Sequence, residues 1–286
     1  MSGPVDAVLL IAFGGPTAPE EIRPFLDHVL RGRPVPADRY EEVVRHYQDV
    51  GGSSPLLALT RRQAAALEAE LARGGDPLPV FVGMRHWHPF IAETLQDMAG
   101  RKLRRAAGIV LAPHASPVSR QAYAQAVAEG RAALGERAPE VVSGRDWPED
   151  PLFLEALATR LDEARRSLPG ERGHRAPVLF TAHSIPLPMS EGSGYAASLR
   201  RTAEGVARAA SADRWRLVYQ SRSGSPGEPW LEPDILEALA EEKAKGATDV
   251  IVAPIGFVSD HVEVLYDLDI AARRRARELG LGFARA

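Results

Sequence analysis

His183 and Glu263 lie 80 positions apart, and each follows a short apolar run, residues 177–180 and residues 250–257. Runs of this kind indicate buried parallel strands. Ligands of open α/β sheets bind just beyond the carboxyl ends of such strands. We therefore expect an imidazole and a carboxylate to face one ligand cleft. That pair suits a transient grip on a divalent metal ion or the transfer of protons.

Asp260, Glu263 and Asp267 follow one another at spacings of three and four, which would place them on one face of a helix. A structural interpretation is open as well. Ser259 or Asp260 could cap the helix, with Glu263 completing a capping box, and acids in a first turn complement the helix dipole. For His183 the structural alternative is an imidazole that only binds loop carbonyls.

Strand and helix patterns alternate along the chain. Strands are predicted at residues 5–13, 78–84, 108–112, 178–180, 216–220 and 249–254, and helices at residues 19–30, 58–72, 89–99, 119–134, 151–168, 194–210, 233–245 and 259–279. Such alternation predicts parallel sheets with right-handed crossovers.

The two halves of the chain resemble each other. Residues 9–13 and 109–114 are similar to residues 178–182 and 250–255, although buried strands of any α/β protein share this composition. We predict an α/β fold of two similar Rossmann-like lobes, each a doubly wound parallel sheet, at residues 1–150 and 151–286, with a ligand cleft between them.

Four loops could also contact a ligand: residues 13–16, 31–36, 46–55 and 220–231. The first has glycines but matches neither the G-x-G-x-x-G dinucleotide-binding pattern nor the P-loop pattern. In the second, Arg31 and Arg33 suit a bidentate grip on carboxylates, or are simply solvated. The fourth is long enough to favour a functional role. His86, just before a predicted helix, is either a ligand contact or structural.

Bulk composition excludes several classes of function. A net charge of −3 provides no general attraction to nucleic acid or to anionic lipid. The chain has no cysteine, so it can form no disulfide, no thiolate zinc site and no cysteine-ligated iron–sulfur cluster. No signal peptide and no apolar run of membrane-spanning length are visible. We expect a cytoplasmic protein and a monomer.

Seven motifs in this order resemble the ferrochelatase family, and together they cover residues from about 5 to 283. They are Phe13-Gly14-Gly15-Pro16, Gly51-Gly52-Ser53-Ser54-Pro55-Leu56, Ala112-Pro113-His114, Ala182-His183-Ser184-Ile185-Pro186, Tyr219-Gln220-Ser221, Pro229-Trp230-Leu231 and the run from Phe257 to Tyr266. The chain looks most like the monofunctional, cysteine-free bacterial branch, which acts on coproporphyrin III rather than on protoporphyrin IX.

The resemblance implies insertion of Fe²⁺, as substrate, into a porphyrin for haem biosynthesis. It implies that His183 and Glu263 hold the metal, with His183 also accepting protons and Glu263 also relaying them. A π-helix would start near Ser259. Residues implied to contact the porphyrin or its propionates are Phe13, Arg31, Tyr47, Ser54 and Tyr123.

Some positions depart from the branch pattern. Phe13 replaces a tyrosine that often ligates product iron, so we expect that axial contact to be absent. Leu30 and His46 stand where the branch tends to carry arginines for propionates, and Arg31 and Arg33 could compensate.

Two further departures concern the end of the chain. Ala271 stands where a carboxylate would join Asp267 in an outer metal site, which we expect to be weakened. The sequence ends at Ala286, and we expect the family's further C-terminal helix to be absent.

Two alternatives remain at this point. One is a chelatase for another metal or another tetrapyrrole, such as cobalt or nickel in a corrinoid precursor. The other is a porphyrin carrier without turnover. Retention of both His183 and Glu263 favours the enzyme, because a carrier needs no metal relay.

Overall fold

The computed structural model describes residues 3–114, 117–144, 146–223 and 227–286. The eight strands are β1 (Ala7–Ala12), β2 (Val80–Met84), β3 (Arg105–Val110), β4 (Glu140–Ser143), β5 (Val178–His183), β6 (Trp215–Gln220), β7 (Asp249–Ala253) and β8 (Gly282–Arg285). They form two four-stranded parallel sheets, ordered β2-β1-β3-β4 and β6-β5-β7-β8. The prediction of two similar parallel α/β lobes is confirmed.

Helices connect the strands. They are α1 (Ile22–Leu30), α2 (Ala37–Asp49), α3 (Leu56–Arg73), α4 (Ile91–Gly100), α5 (Pro117–Leu134), α6 (Pro151–Ser167), α7 (Arg172–Arg175), α8 (Leu187–Ser193), α9 (Tyr195–Ala209), α10 (Ile235–Ala244), α11 (Val262–Val264) and α12 (Arg273–Glu278). Short 3₁₀ turns occupy Pro19–Glu21 and Gly135–Arg137, and a π-helix, Leu265–Ala272, joins α11 to α12. No helix in these described ranges is both long and apolar enough to cross a membrane.

Local sequence explains where several helices begin. Asp150 precedes α6 and accepts the Leu152 amide hydrogen at 3.0 Å, with proline at the first helical position. Asp234 caps α10 in the same way, accepting from the amide of Leu236 at 2.7 Å. Each cap satisfies one amide that has no partner within its helix.

Two compact units divide the chain. The first consists of Met1–Ala112, Pro117–Arg145 and Ser259–Val262, and the second of Pro113–Ser116, Asp146–Val258 and Glu263–Ala286. That residues 1–150 and 151–286 are separate domains stays a prediction.

The second sheet is covered on both faces. Val178, Phe180 and Ile251 face a core with α6 and α9, whereas alternate residues such as Leu179 and Val250 face a core with α10 and the π-helix. Burial on both faces explains why these strands read as continuous apolar runs. The second core also includes Val264, Leu268 and Ala272, which pack α11 and the π-helix against this face of the sheet.

The structure corrects several predicted boundaries. Residues 46–49 belong to α2 and not to a loop, α4 begins at Ile91 and not at Pro89, and the last helix begins at Val262 and not at Ser259. The π-helix accordingly starts at Leu265. Helices α2, α7 and α8 and strands β4 and β8 were not predicted. Residues 224–226 of the predicted 220–231 loop lie outside the described residues.

Candidate functional site

The second unit brings His183 and Glu263 together. His183 is the last residue of β5, and Glu263 lies in α11, two residues before the π-helix. The His183 Nε2 atom is 3.7 Å from Oε2 of Glu263, and neither side chain is fully buried. The two residues singled out from strand ends therefore form one pair.

The other nitrogen of His183 has its own partner. Nδ1 lies within hydrogen-bonding distance of the Ser184 main-chain carbonyl. A carbonyl can only accept, so Nδ1 carries the hydrogen and, in the neutral ring, Nε2 presents its lone pair towards Glu263. Nε2 is therefore the ring nitrogen available to bind a metal ion or to accept a proton.

The surroundings of His183 raise its pKa. Burial by itself lowers the pKa of His183, but the Glu263 carboxylate, the Ser184 carbonyl and Asp267 together raise that pKa above its ordinary value. His183 is thus a stronger base than a free imidazole.

Asp267 extends the pair along the π-helix. Burial, with the Glu263 and Asp234 carboxylates, raises the pKa of Asp267 to about 6, against the lowering effect of the Ser221 hydroxyl and of His183. Ser221 donates a hydrogen bond to Oδ2 of Asp267. Asp267 can therefore change its protonation state close to neutral pH.

The cluster does not amount to a metal cage. Among the residues that the structure describes, no three His, Cys, Asp or Glu side chains form a group able to hold a metal ion. A two-residue imidazole–carboxylate grip suits an ion that must be released again, because tight structural sites close the coordination sphere.

The five residues implied to contact porphyrin all lie in the first unit. Phe13 directly follows β1 and is 41% exposed. Its ring centroid lies 4.5 Å from that of the buried His86, with the two rings tilted by 45°. Arg31 ends α1 in a left-handed conformation (φ 49°) and is exposed, and no described residue forms an ion pair with it. Both side chains are available to a ligand.

The other three are largely buried. Tyr47 packs in a core cluster against Phe25, with ring centroids 6.1 Å apart. The Ser54 hydroxyl accepts from the Leu56 amide at 3.3 Å. Burial raises the pKa of Tyr123 to about 12, and the Arg85 guanidinium lies 5.7 Å from its ring centre. Their contacts with a porphyrin stay predictions.

Arg33, which could compensate for a missing arginine, and His46, which departs from the branch pattern, both have local partners. Arg33 donates to the main-chain carbonyls of Leu30 and Val29 at the end of α1, both at 3.2 Å. His46 lies in α2 with its Nε2 atom 3.9 Å from Glu42, and burial lowers the pKa of His46. His86 is 3% exposed, and burial together with Arg85 lowers its pKa to about 3, so it stays neutral.

Sequence reasoning missed Tyr195, whose hydroxyl donates to the main-chain carbonyl of His183 at 3.1 Å. It also missed the role of Ser221, which binds Asp267. Ser221 was visible as part of the 220–231 loop and of the Tyr219-Gln220-Ser221 motif but without a role, and Tyr195 carried no sequence signal.

The fold is that of the chelatases. SirB from Bacillus subtilis with Fe³⁺ matches 97% of this chain and 86% of its own with a TM-score of 0.55 at 11% identity. Its cobalt complex, from Bacillus subtilis subspecies spizizenii, gives a TM-score of 0.53 at the same identity, over 98% of this chain and 86% of its own. At such low identity this likeness concerns the fold alone.

Sequence comparison identifies the family to which the chain belongs. Residues 5–286 match the Ferrochelatase family. A coproporphyrin III ferrochelatase of Mycolicibacterium smegmatis is 44% identical, over 98% of this chain and 84% of that protein. A ferrochelatase of Rhodopirellula baltica is 41% identical, over 99% of this chain and 81% of its own. The chain belongs to the ferrochelatase family and is a metal chelatase.

Proposed function

We propose that this enzyme inserts Fe²⁺ into coproporphyrin III, with protoporphyrin IX as the poorer substrate. Membership of the ferrochelatase family supports iron insertion, and the names of the most similar relatives support coproporphyrin III. The observation that carries the mechanism is the 3.7 Å approach of His183 Nε2 to Glu263.

Metal insertion exchanges one Fe²⁺ for two protons of the macrocycle, so the site must release a cation and accept protons. In His183 both tasks fall to Nε2, because Nδ1 is held by Ser184. Nε2 cannot hold the metal and a proton at once, since either occupies its one lone pair. We infer that Nε2 accepts a proton only after Fe²⁺ has left it.

Glu263 supports both states of His183. Its carboxylate shares the Fe²⁺ before insertion, and afterwards it stabilises the imidazolium, in line with the raised pKa of His183. Glu263 then takes the proton from His183 and passes it to Asp267, whose pKa is about 6. Proton flow then runs from the macrocycle to His183, to Glu263 and on to Asp267.

In the first unit, the exposed ring of Phe13 would contact the macrocycle and the guanidinium of Arg31 would bind a propionate. Tyr47, Ser54 and Tyr123 would line the same surface, with little of each side chain exposed. Phe13 offers no ligand oxygen, so we expect no axial iron bond from this residue.

The test is anaerobic absorbance of the purified enzyme with Fe²⁺, with coproporphyrin III and protoporphyrin IX assayed in parallel. We expect faster conversion of coproporphyrin III. Faster conversion of protoporphyrin IX would retain iron insertion and overturn the substrate assignment. Binding of both porphyrins without conversion of either would overturn insertion in favour of a carrier.

His183→Ala should abolish insertion while porphyrin affinity changes by less than about threefold. The exposed His174, in α7, provides the matched control, and His174→Ala should leave both properties unchanged. Equal loss of insertion and of porphyrin binding in His183→Ala would contradict the assigned roles.

A further inference from the structure

The peptide unit that joins His183 to Ser184 is held at both ends. Its carbonyl oxygen accepts a hydrogen bond from the hydroxyl of Tyr195 at 3.1 Å. Its amide hydrogen is donated to the Gln220 carbonyl of the neighbouring strand at 2.8 Å. A peptide group is planar, so two opposed bonds fix its rotation about the chain axis.

That rotation determines where the imidazole points. The next carbonyl along the chain, that of Ser184, receives the Nδ1 hydrogen of His183. If the first peptide unit turned, the Ser184 carbonyl would move and Nδ1 would lose its acceptor. The ring could then adopt the other tautomer, with the hydrogen on Nε2 facing Glu263.

We propose, resting on the function proposed above, that Tyr195 is a positioning residue which keeps His183 in the Nδ1–H tautomer. In that state the Nε2 lone pair is directed at Glu263 and available for Fe²⁺ and then for a proton. Tyr195 itself touches no reacting atom and acts through the main chain of His183.

The environment of Tyr195 suits a permanent donor. Its ring packs with Ala182, Leu199 and Tyr219. Burial, with Tyr219 and the Glu263 carboxylate, raises the pKa of Tyr195 well above that of a free phenol. The hydroxyl therefore keeps its hydrogen throughout the working pH range.

A sharp turn at Gly194 brings Tyr195 to the main chain of His183. Gly194 has φ +68°, a left-handed conformation that ends α8 and allows α9 to start at Tyr195. The Tyr195 amide hydrogen is donated to the Ser193 hydroxyl at 3.3 Å, which completes the turn.

Tyr219 provides a matched comparison. It belongs to the same apolar cluster and is 5% exposed, but its hydroxyl makes no hydrogen bond to any residue in the described ranges. If Tyr195 served only as packing, replacing either tyrosine by phenylalanine would have the same effect.

The experiment compares Tyr195→Phe with Tyr219→Phe in two ways. Imidazole ¹⁵N chemical shifts report the tautomer of His183 in the enzyme without substrate, and steady-state kinetics report insertion of Fe²⁺ into coproporphyrin III. For Tyr195→Phe we expect a mixture of tautomers and a kcat lower by about 3- to 10-fold, as one hydrogen bond commonly contributes, with KM for porphyrin within twofold. Tyr219→Phe should match the wild type in both measurements.

A pure Nδ1–H tautomer in Tyr195→Phe, or an equal fall in kcat in Tyr219→Phe, would overturn the assignment. Because the ¹⁵N measurement needs no turnover, it still decides the role of Tyr195 if the wild type inserts no iron. If Tyr195→Phe fails to fold, the wild type remains informative. Its Tyr195 hydroxyl hydrogen should exchange slowly with water, and rapid exchange would contradict the hydrogen bond.

Discussion

At the scale of single residues, the proposed mechanism depends on one nitrogen atom of His183 with the Glu263 carboxylate beside it. Burial lowers the affinity of His183 Nε2 for a proton, and the negative charge of Glu263, 3.7 Å away, raises it. Fe²⁺ and a proton compete for that lone pair, so a pKa raised too far would block metal binding at neutral pH. In the proposed mechanism, the strength of the interaction between Glu263 and His183 sets the balance between binding iron and accepting protons.

Glu263→Gln should lower the pKa of His183, because the neutral amide removes the charge that stabilises imidazolium while burial still opposes it. NMR titration of the His183 ring measures this directly. Glu237→Gln, an exposed position on α10, is the control and should leave the titration unchanged. A His183 pKa that stays the same in Glu263→Gln would contradict the pairing.

Asp267→Asn should stabilise the protein more at pH 7.5 than at pH 4.5. The folded state raises the pKa of Asp267 to about 6, so it binds a proton there that the unfolded chain has released. Stability from this group therefore falls as pH rises from about 4 to 6 and is then constant. We expect a gain of about 1 to 3 kcal/mol in urea unfolding at pH 7.5. An equal gain at both pH values would contradict the shifted pKa.

At the scale of elements, the carboxyl end of β5 is held by a close approach of the loop after β7. The Gly256 amide hydrogen is donated to the Thr181 carbonyl at 3.2 Å, and a Cβ on Gly256 would lie 2.7 Å from Cβ and 3.0 Å from Cα of Ala182. Ala182 directly precedes His183. Absence of a side chain at Gly256 thus allows the loop to pack on the strand that carries the imidazole.

Gly256→Ala should displace the end of β5, since the added methyl meets main-chain atoms and not a movable side-chain tip. We expect a loss of about 1 to 3 kcal/mol in stability and at least a tenfold loss of insertion. Gly192→Ala is the control, because nothing lies within 4 Å of its Cβ. Its helical position should make alanine neutral or slightly stabilising. Wild-type activity in Gly256→Ala would refute the contact.

The elements that escaped prediction have few apolar residues in a regular pattern. Strands β4 and β8 lie at sheet edges and have four residues each, of which two are apolar, so neither gives an apolar run long enough to indicate a strand. Helix α2 buries only Val44 and Tyr47 among thirteen mostly polar residues. The π-helix was implied near Ser259 by the family resemblance and not by the residue pattern, and it starts at Leu265.

The candidate site was predictable only in part, for a related reason. His183 and Glu263 were found because the ends of buried strands are visible as ends of apolar runs. Tyr195 and Ser221 act through single hydrogen bonds whose partners depend on side-chain torsions and on the turn at Gly194. Periodicity carries no information of that kind.

At the scale of the whole molecule, the internal repeat is more detailed than sequence similarity indicated. Both sheets have the same strand order, with β1 to β4 corresponding to β5 to β8. In both, an amide near the end of the second strand donates to a proline carbonyl just before the next helix. These bonds run from Met84 to Pro89, 2.7 Å, and from Tyr219 to Pro233, 2.9 Å. The missed strand β8 therefore has the same place as β4.

Each unit also has its own interior. Among the described residues, every hydrophobic cluster lies within a single unit: Leu95 belongs to one in the first, and Leu161 to one in the second. Because local unfolding involves contiguous packed regions, units with separate cores can unfold independently of each other.

Leu95→Ala and Leu161→Ala should each cost about 2 to 5 kcal/mol, because both side chains are fully buried and leave cavities. Hydrogen exchange followed by mass spectrometry shows which sheet each substitution destabilises. We expect Leu95→Ala to accelerate exchange in β1 to β3 and to leave β5 to β7 protected, with the reverse for Leu161→Ala. Equal acceleration in both sheets by either variant would mean that the chain unfolds as one cooperative block. The two repeats would then be similar in topology without being independent in stability.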